Sequence, residues 1–157
     1  CLSRGLGDVY KRQRLASTLQ DLLELNGYTA DVCHDGEAGL DNAMTAIYDV
    51  VILDPPAFTK SREATKNAIK GYREINMKGL KLVKDGGYLA TCSCSHFMTQ
   101  ELLAKTVKEA AKAAHKRLRQ VEFRTQAPDH PILWANSANV PESYYLKFFI
   151  FQVVDEK

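Results

Sequence analysis

This 157-residue sequence has no apolar run long enough to cross a bilayer, and no membrane partner is implied. Charge of one sign is missing too. Its 21 basic and 19 acidic side chains leave a formal net charge of +2, so no global polybasic signal announces a nucleic acid. Cysteine is scarce and irregular: Cys1, Cys33, Cys92 and Cys94 do not space like a disulfide framework. No secretory signal precedes them, so a reducing, cytoplasmic setting is expected. Internal repeats and low-complexity linkers are absent, which leaves one ordinary domain able to bury a sizeable core.

What is present alternates helix and strand. Leu15, Leu19, Leu22 and Leu23 recur at helical spacing, and Asn26-Gly27 supplies the stop. A short strand is expected over Thr29–Cys33, and a helix capped by Asp35 runs on to Met44. Tyr48–Leu53 is a continuous apolar, β-rich run suited to a parallel strand covered on both faces. An amphipathic helix over Glu63–Val83 follows, then an Asp85-Gly86-Gly87 turn and a strand over Tyr88–Ser93. Thr99–Ala114 reads as a helix, and strands Leu118–Arg124 and Tyr144–Val154 close the chain across a Pro-rich loop. The pattern predicts an α/β domain over residues 14–157, mostly parallel, with a C-terminal antiparallel hairpin.

Sites in open α/β sheets form at the carboxyl ends of strands. Asp54 ends one strand, Cys92 and Cys94 end the next, and adjacent strands lie roughly 4.8 Å apart. An acid and a thiol therefore converge on one edge, with Cys92 and Cys94 expected on one face. Cys92, Cys94 and His96 are too crowded on one strand for zinc, and no metal is expected. Lys147 stands in an apolar strand, where a partner acid is expected. Lys116, Arg117, Arg119 and Arg124 form a local basic stripe, equally readable as a solvated surface.

From Asp54 onward the chain resembles the bacterial 23S rRNA cytosine-C5 methyltransferases of the class I, S-adenosylmethionine-dependent type. The resemblance rests on DPPAFTKS (Asp54–Ser61), GYREINMKGLKLVKDGGYLATCSCSHFM (Gly71–Met98), QAPDHP (Gln126–Pro131) and ESYYLKFF (Glu142–Phe149). It implies a Rossmann-like class I methyltransferase sheet, here lacking its first strands, with 23S ribosomal RNA as partner and no DNA. C5 of cytosine is a poor nucleophile, and a thiolate adding at C6 makes it reactive. The resemblance assigns that thiolate to Cys94, with Cys92 as the alternative. Asp54 would support charge at N3, Phe58 would stack on the base, and Lys60 and His96 would lie near the RNA. Asp54, Pro55 and Pro56 would meet the cofactor S-adenosylmethionine, with Asp35 a weaker candidate near its adenine. The Asp129-His130-Pro131 motif is expected to shape a loop.

Upstream, Arg14–Asp54 resembles a response-regulator receiver, in which Asp54 would be the phosphoacceptor. The acidic pair that would hold Mg²⁺ there is not in the sequence. Cys1–Gln13 resembles an adapter-derived leader, so the chain also reads as a chimeric fragment with no function of its own. A glycine-rich cofactor loop is likewise missing, and activity in this form is expected to be lost. The Thr29–Cys33 and Tyr48–Leu53 strands are expected either to pair directly or to leave a gap.

Overall fold

The computed structural model describes residues 17–30, 32, 41, 43, 48–56, 58, 65–134, 141 and 143–156. Cys1–Gln13, Cys33, Asp35 and Lys60 lie outside the described residues. The chain divides into two compact units, Cys1–Ala46 and Ile47–Lys157.

In the first unit a helix, α1, covers residues 17–25 and ends in a turn at Asn26-Gly27, where Gly27 takes a φ of 82°. The amide of Tyr28 returns to the Leu23 carbonyl at 3.1 Å, closing the helix end. The strand expected over Thr29–Cys33 is not formed at Thr29, Ala30 or Val32. The Gln20 side chain donates to the Ala30 carbonyl at 2.8 Å, so a local side chain satisfies backbone that a strand neighbour would otherwise pair. Residues 41 and 43 are helical, within the span expected for a helix.

The second unit runs β1 (Tyr48–Leu53), α2 (Thr65–Leu82), β2 (Val83–Ser93), α3 (Gln100–Ala113), β3 (Lys116–Arg124) and β4 (Lys147–Asp155). The strands form one four-stranded sheet in the order β1-β2-β4-β3. The β1–β2 ladder is parallel, as a helical crossover requires, and the last two strands form the expected antiparallel hairpin. Because the hairpin's second strand inserts beside β2, two of the three ladders are antiparallel.

One face of this sheet carries the core. Leu89, Phe149, Phe151 and Val153 pack with Ala68, Tyr72 and Leu80 of α2 and with Leu103, Val107 and Ala110 of α3. Each such large side chain contributes roughly 1.5–3 kcal/mol on burial. The buried positions of α2, Ala68, Tyr72, Asn76, Gly79 and Leu80, repeat at three- and four-residue steps. Thr99 caps α3 by accepting from the Leu102 amide at 3.2 Å.

Two strand starts differ from the expectation. Pairing begins at Val83 opposite Tyr48, ahead of the glycines, and Gly86 at φ 79° takes up the irregularity inside the strand. At the other end β4 begins at Lys147, because Tyr144 is held in a turn by the Pro141 carbonyl at 3.0 Å.

Candidate active site

Parallel register sets the site. Leu53 pairs with Thr91, so the next step outward brings Asp54 level with Cys92. Their side chains meet: the Cys92 thiol donates to Asp54 Oδ1 at 3.1 Å. Cys92 is only 5% exposed, whereas the Asp54 residue as a whole reaches solvent. Burial, followed by the hydrogen bond and charge of Asp54, pushes the Cys92 thiol up to about 12. At neutral pH this thiol is therefore a proton donor rather than a thiolate.

Cys94 differs in every respect. The strand ends at Ser93, so the alternation that would place both cysteines on one face stops one residue short of Cys94. Cys94 is exposed, while Ser93 and Ser95 on either side are buried. The Ser93 hydroxyl shares a hydrogen bond of 2.8 Å with the Tyr72 hydroxyl and accepts from the Ser95 amide at 3.3 Å. Burial raises the Tyr72 phenol above its ordinary range. An exposed thiol thus stands on a turn whose two flanks are anchored in the core.

Lys147 supplies a further anchor. It pairs with Ser93 across the β2–β4 ladder and is 1% exposed. Its ammonium donates to the Ser95 carbonyl at 2.5 Å and to the Tyr145 carbonyl at 2.7 Å. The partner acid expected from the sequence is replaced by these two carbonyls, and among the described residues no ion pair includes Lys147. Burial holds its pKa down at about 8, and the charge of Cys94 acts in the opposite direction.

The remaining candidates fall around this edge. Pro55 is buried and Pro56 exposed beside Asp54. Phe58 meets Tyr72 edge-on at 4.8 Å and keeps 38% of its surface accessible. It also lies against Gly71, where a Cβ would come within 3.5 Å of its ring. His96 contacts Phe97 and lines a cavity of about 130 Å³ with Thr99, Gln100, Glu101, Tyr144 and Lys147. Asp129 and His130 pair with each other at 3.1 Å on the surface, and the His130 amide donates to the Ala127 carbonyl, an arrangement that shapes the loop. The basic stripe is partly engaged: Lys116 pairs with Asp155, Arg124 with Glu122, and Arg119 donates to Gln152. Among the described residues no cluster of three or more His, Cys, Asp or Glu could hold a metal. No helix among them is long and apolar enough to cross a membrane.

Tyr72, Ser93 and Ser95 escaped the sequence reading as site residues. Tyr72 looked like one more apolar position of a helix, and only its polar tip shows otherwise.

No protein-family model matches the chain. Ribosomal RNA large subunit methyltransferase I of Alteromonas mediterranea is 41% identical over 109 residues, which cover 69% of this chain and 26% of that protein. The protein of the same name from Shewanella denitrificans is 37% identical over 142 residues, covering 90% of this chain and 34% of that one. That stretch is too long to fit between Asp54 and Lys157, so it reaches upstream of Asp54. Among solved structures, a protein assigned as a methyltransferase and crystallised with SAH superposes with a TM-score of 0.51. Its identity is 20%, and the match covers 79% of this chain and 30% of that one. The fold is that of the Rossmann-like methyltransferases, and the chain spans only about a quarter to a third of the length of these relatives.

Proposed function

We propose that this chain is the C-terminal catalytic segment of an S-adenosylmethionine-dependent methyltransferase of large-subunit ribosomal RNA. Its reaction would be methylation of C5 of a cytosine in 23S rRNA through a covalent adduct at Cys94. The names of the two relatives support the substrate class, and the SAH-bound neighbour supports the cofactor. The observation that carries the choice of nucleophile is the hydrogen bond from Cys92 to Asp54. A thiol pushed up to about 12 offers no thiolate near neutrality, which leaves the exposed Cys94.

In this reading the Cys94 thiolate adds to C6 of the base, and the ring's electrons move toward C5 and N3. Asp54, at the same edge, would pass or share a proton with N3 as negative charge builds there, and the Cys92 donor keeps its carboxyl group oriented. Once C5 has taken the methyl group, with the sulfonium leaving as a neutral thioether, loss of the C5 proton to a base would expel the Cys94 thiolate and restore the ring. S-adenosylmethionine would supply an electrophilic methyl group on a sulfonium. Asp54, with Pro55 and Pro56, fits the reactive end of that cofactor. A glycine-rich loop and an acid for its ribose are not found among the described residues, and Asp35 lies outside them.

Upstream of Asp54 the Shewanella protein also matches, so the receiver-like segment has a counterpart in a relative bearing a methyltransferase name. No observation favours Asp54 as a phosphoacceptor.

The test is trapping with 5-fluorocytosine RNA at saturating cofactor. The unaltered chain and Cys92→Ala should form an adduct that resists denaturation, and Cys94→Ala should form none. Loss with Cys92→Ala alone would transfer the role to Cys92, and no adduct with the unaltered chain would overturn the reading.

A further inference from the structure

The mechanism above leaves one buried charge unused. Lys147 is 1% exposed, and a buried ammonium is costly unless hydrogen bonds or a counter-charge compensate it. Two of its three protons are directed to the carbonyls of Ser95 and Tyr145, and the nitrogen lies 6.0 Å from the centre of the Tyr144 ring. No carboxylate among the described residues neutralises it in an ion pair. The charge is therefore available to whatever anion forms nearby, and the adjacent turn presents Cys94.

We propose that Lys147 is a positioning residue for the Cys94 thiol. Its ammonium pins the Ser95 carbonyl, fixing the segment that presents the sulfur, and sets beside that segment a positive charge with no ion-pair partner among the described residues. The inference rests on Cys94 being the reactive thiol, and it adds what makes that thiol reactive.

The surroundings leave this work to Lys147. Electrostatic partners of Cys94 include Tyr72 on α2, Cys92 on β2 and Lys147 on β4. Asp54, at the end of β1, stands behind Cys92, and Glu101 of α3 acts on Tyr144. His96 follows one residue beyond Ser95 and turns its ring to Phe97. Tyr72 and the Cys92 thiol are neutral at physiological pH, and Asp54 and Glu101 carry carboxyl groups. Lys147 is thus the cation of this group near neutral pH, where its pKa of about 8 still leaves it mostly protonated. The charge of Cys94 draws the lysine's pKa upward against burial, which puts the two groups within electrostatic reach of each other.

The experiment is peptide-resolved alkylation of Cys94 by iodoacetamide as a function of pH, on the full chain without RNA or cofactor. Lys147→Met should move the alkylation profile to higher pH, slowing the reaction near neutrality by roughly tenfold, the thiolate fraction lost per pH unit. Lys147→Arg, which keeps the charge, should restore much of the rate. An unchanged profile in a folded Lys147→Met chain would overturn the proposal. Should that variant not fold, the reciprocal measurement decides: Lys147 Cε followed by NMR titration in the unaltered chain and in Cys94→Ser. Its pKa should fall when the thiol is removed, and equal values would overturn the proposal. Neither measurement depends on methyl transfer, so the coupling can hold while the adduct test fails, and the reverse.

Discussion

Two cysteines separated by a single serine occupy opposite surroundings, one buried and one exposed, because one lies inside the strand and the other just beyond its end. The sequence showed that Asp54 and a thiol would converge, since both follow from strand ends joined by a helical crossover. It could not show which thiol the aspartate holds, because that depends on where β2 stops to within one residue. Lys147 was visible as a charge in an apolar strand, but its partners are backbone carbonyls, whose positions carry no residue identity. Its folded-state pKa of about 8 lies below the ordinary value of 10.5. Between these values the unfolded chain binds the proton and the folded chain does not, so stability rises with pH across that window. The rise is on the order of 3 kcal/mol and is fully developed only near pH 10.5. Cys92 acts in the other direction, because its folded pKa is raised: from about pH 9 toward 12 it lowers stability. Urea unfolding from about pH 7 to about pH 9 should therefore show a gain in the unaltered chain that Lys147→Met lacks. Parallel curves for the two chains would refute the buried-charge account.

At the level of elements, the long periodic helices and the terminal hairpin were legible, whereas their junctions were not. Helix α3 matched its expected span because Thr99 marks the start chemically. The α2–β2 junction was misplaced because Asp85-Gly86-Gly87 carries a strong turn signal that the neighbouring strand overrides. Gly87 shows why glycine is required there: a Cβ would lie 2.7 Å from the Asp49 carbonyl oxygen, a backbone atom that cannot step aside. Gly87→Ala should therefore destabilise by about 1–3 kcal/mol, the range for overpacking a fixed site. Thr99→Ala, which only removes a cap, should cost about 1 kcal/mol. Urea midpoints rank the two. A Gly87→Ala chain as stable as the unaltered one would show that β1 and β2 yield at this point. A Thr99→Ala loss well above that range would show that Thr99 does more than cap.

Taken as a whole, the sheet of the second unit is organised around one well-covered face. Its order, β1-β2-β4-β3, follows from a crossover and a hairpin, both readable from connection lengths and helix periodicity. What the pattern could not reveal is the state of the other face. Tyr48–Leu53 reads as a strand covered on both sides, yet Val50 is 52% exposed and Ile52 68% exposed. Hydrophobic patterning records where a chain is suited to be buried, and this strand is suited to more cover than it has. Among the described residues β1 also lies at an end of the sheet, so its outward backbone groups lack a ladder partner. An apolar, one-sided edge strand of this kind is a template for pairing between chains. Ile52→Lys should accordingly lower light scattering of concentrated solutions markedly. Its thermal midpoint should remain close to that of the unaltered chain, because an exposed side chain contributes within about 0.5 kcal/mol of zero. Scattering that persists unchanged would move the self-association site away from β1. A large drop in midpoint would show instead that Ile52 is covered in solution.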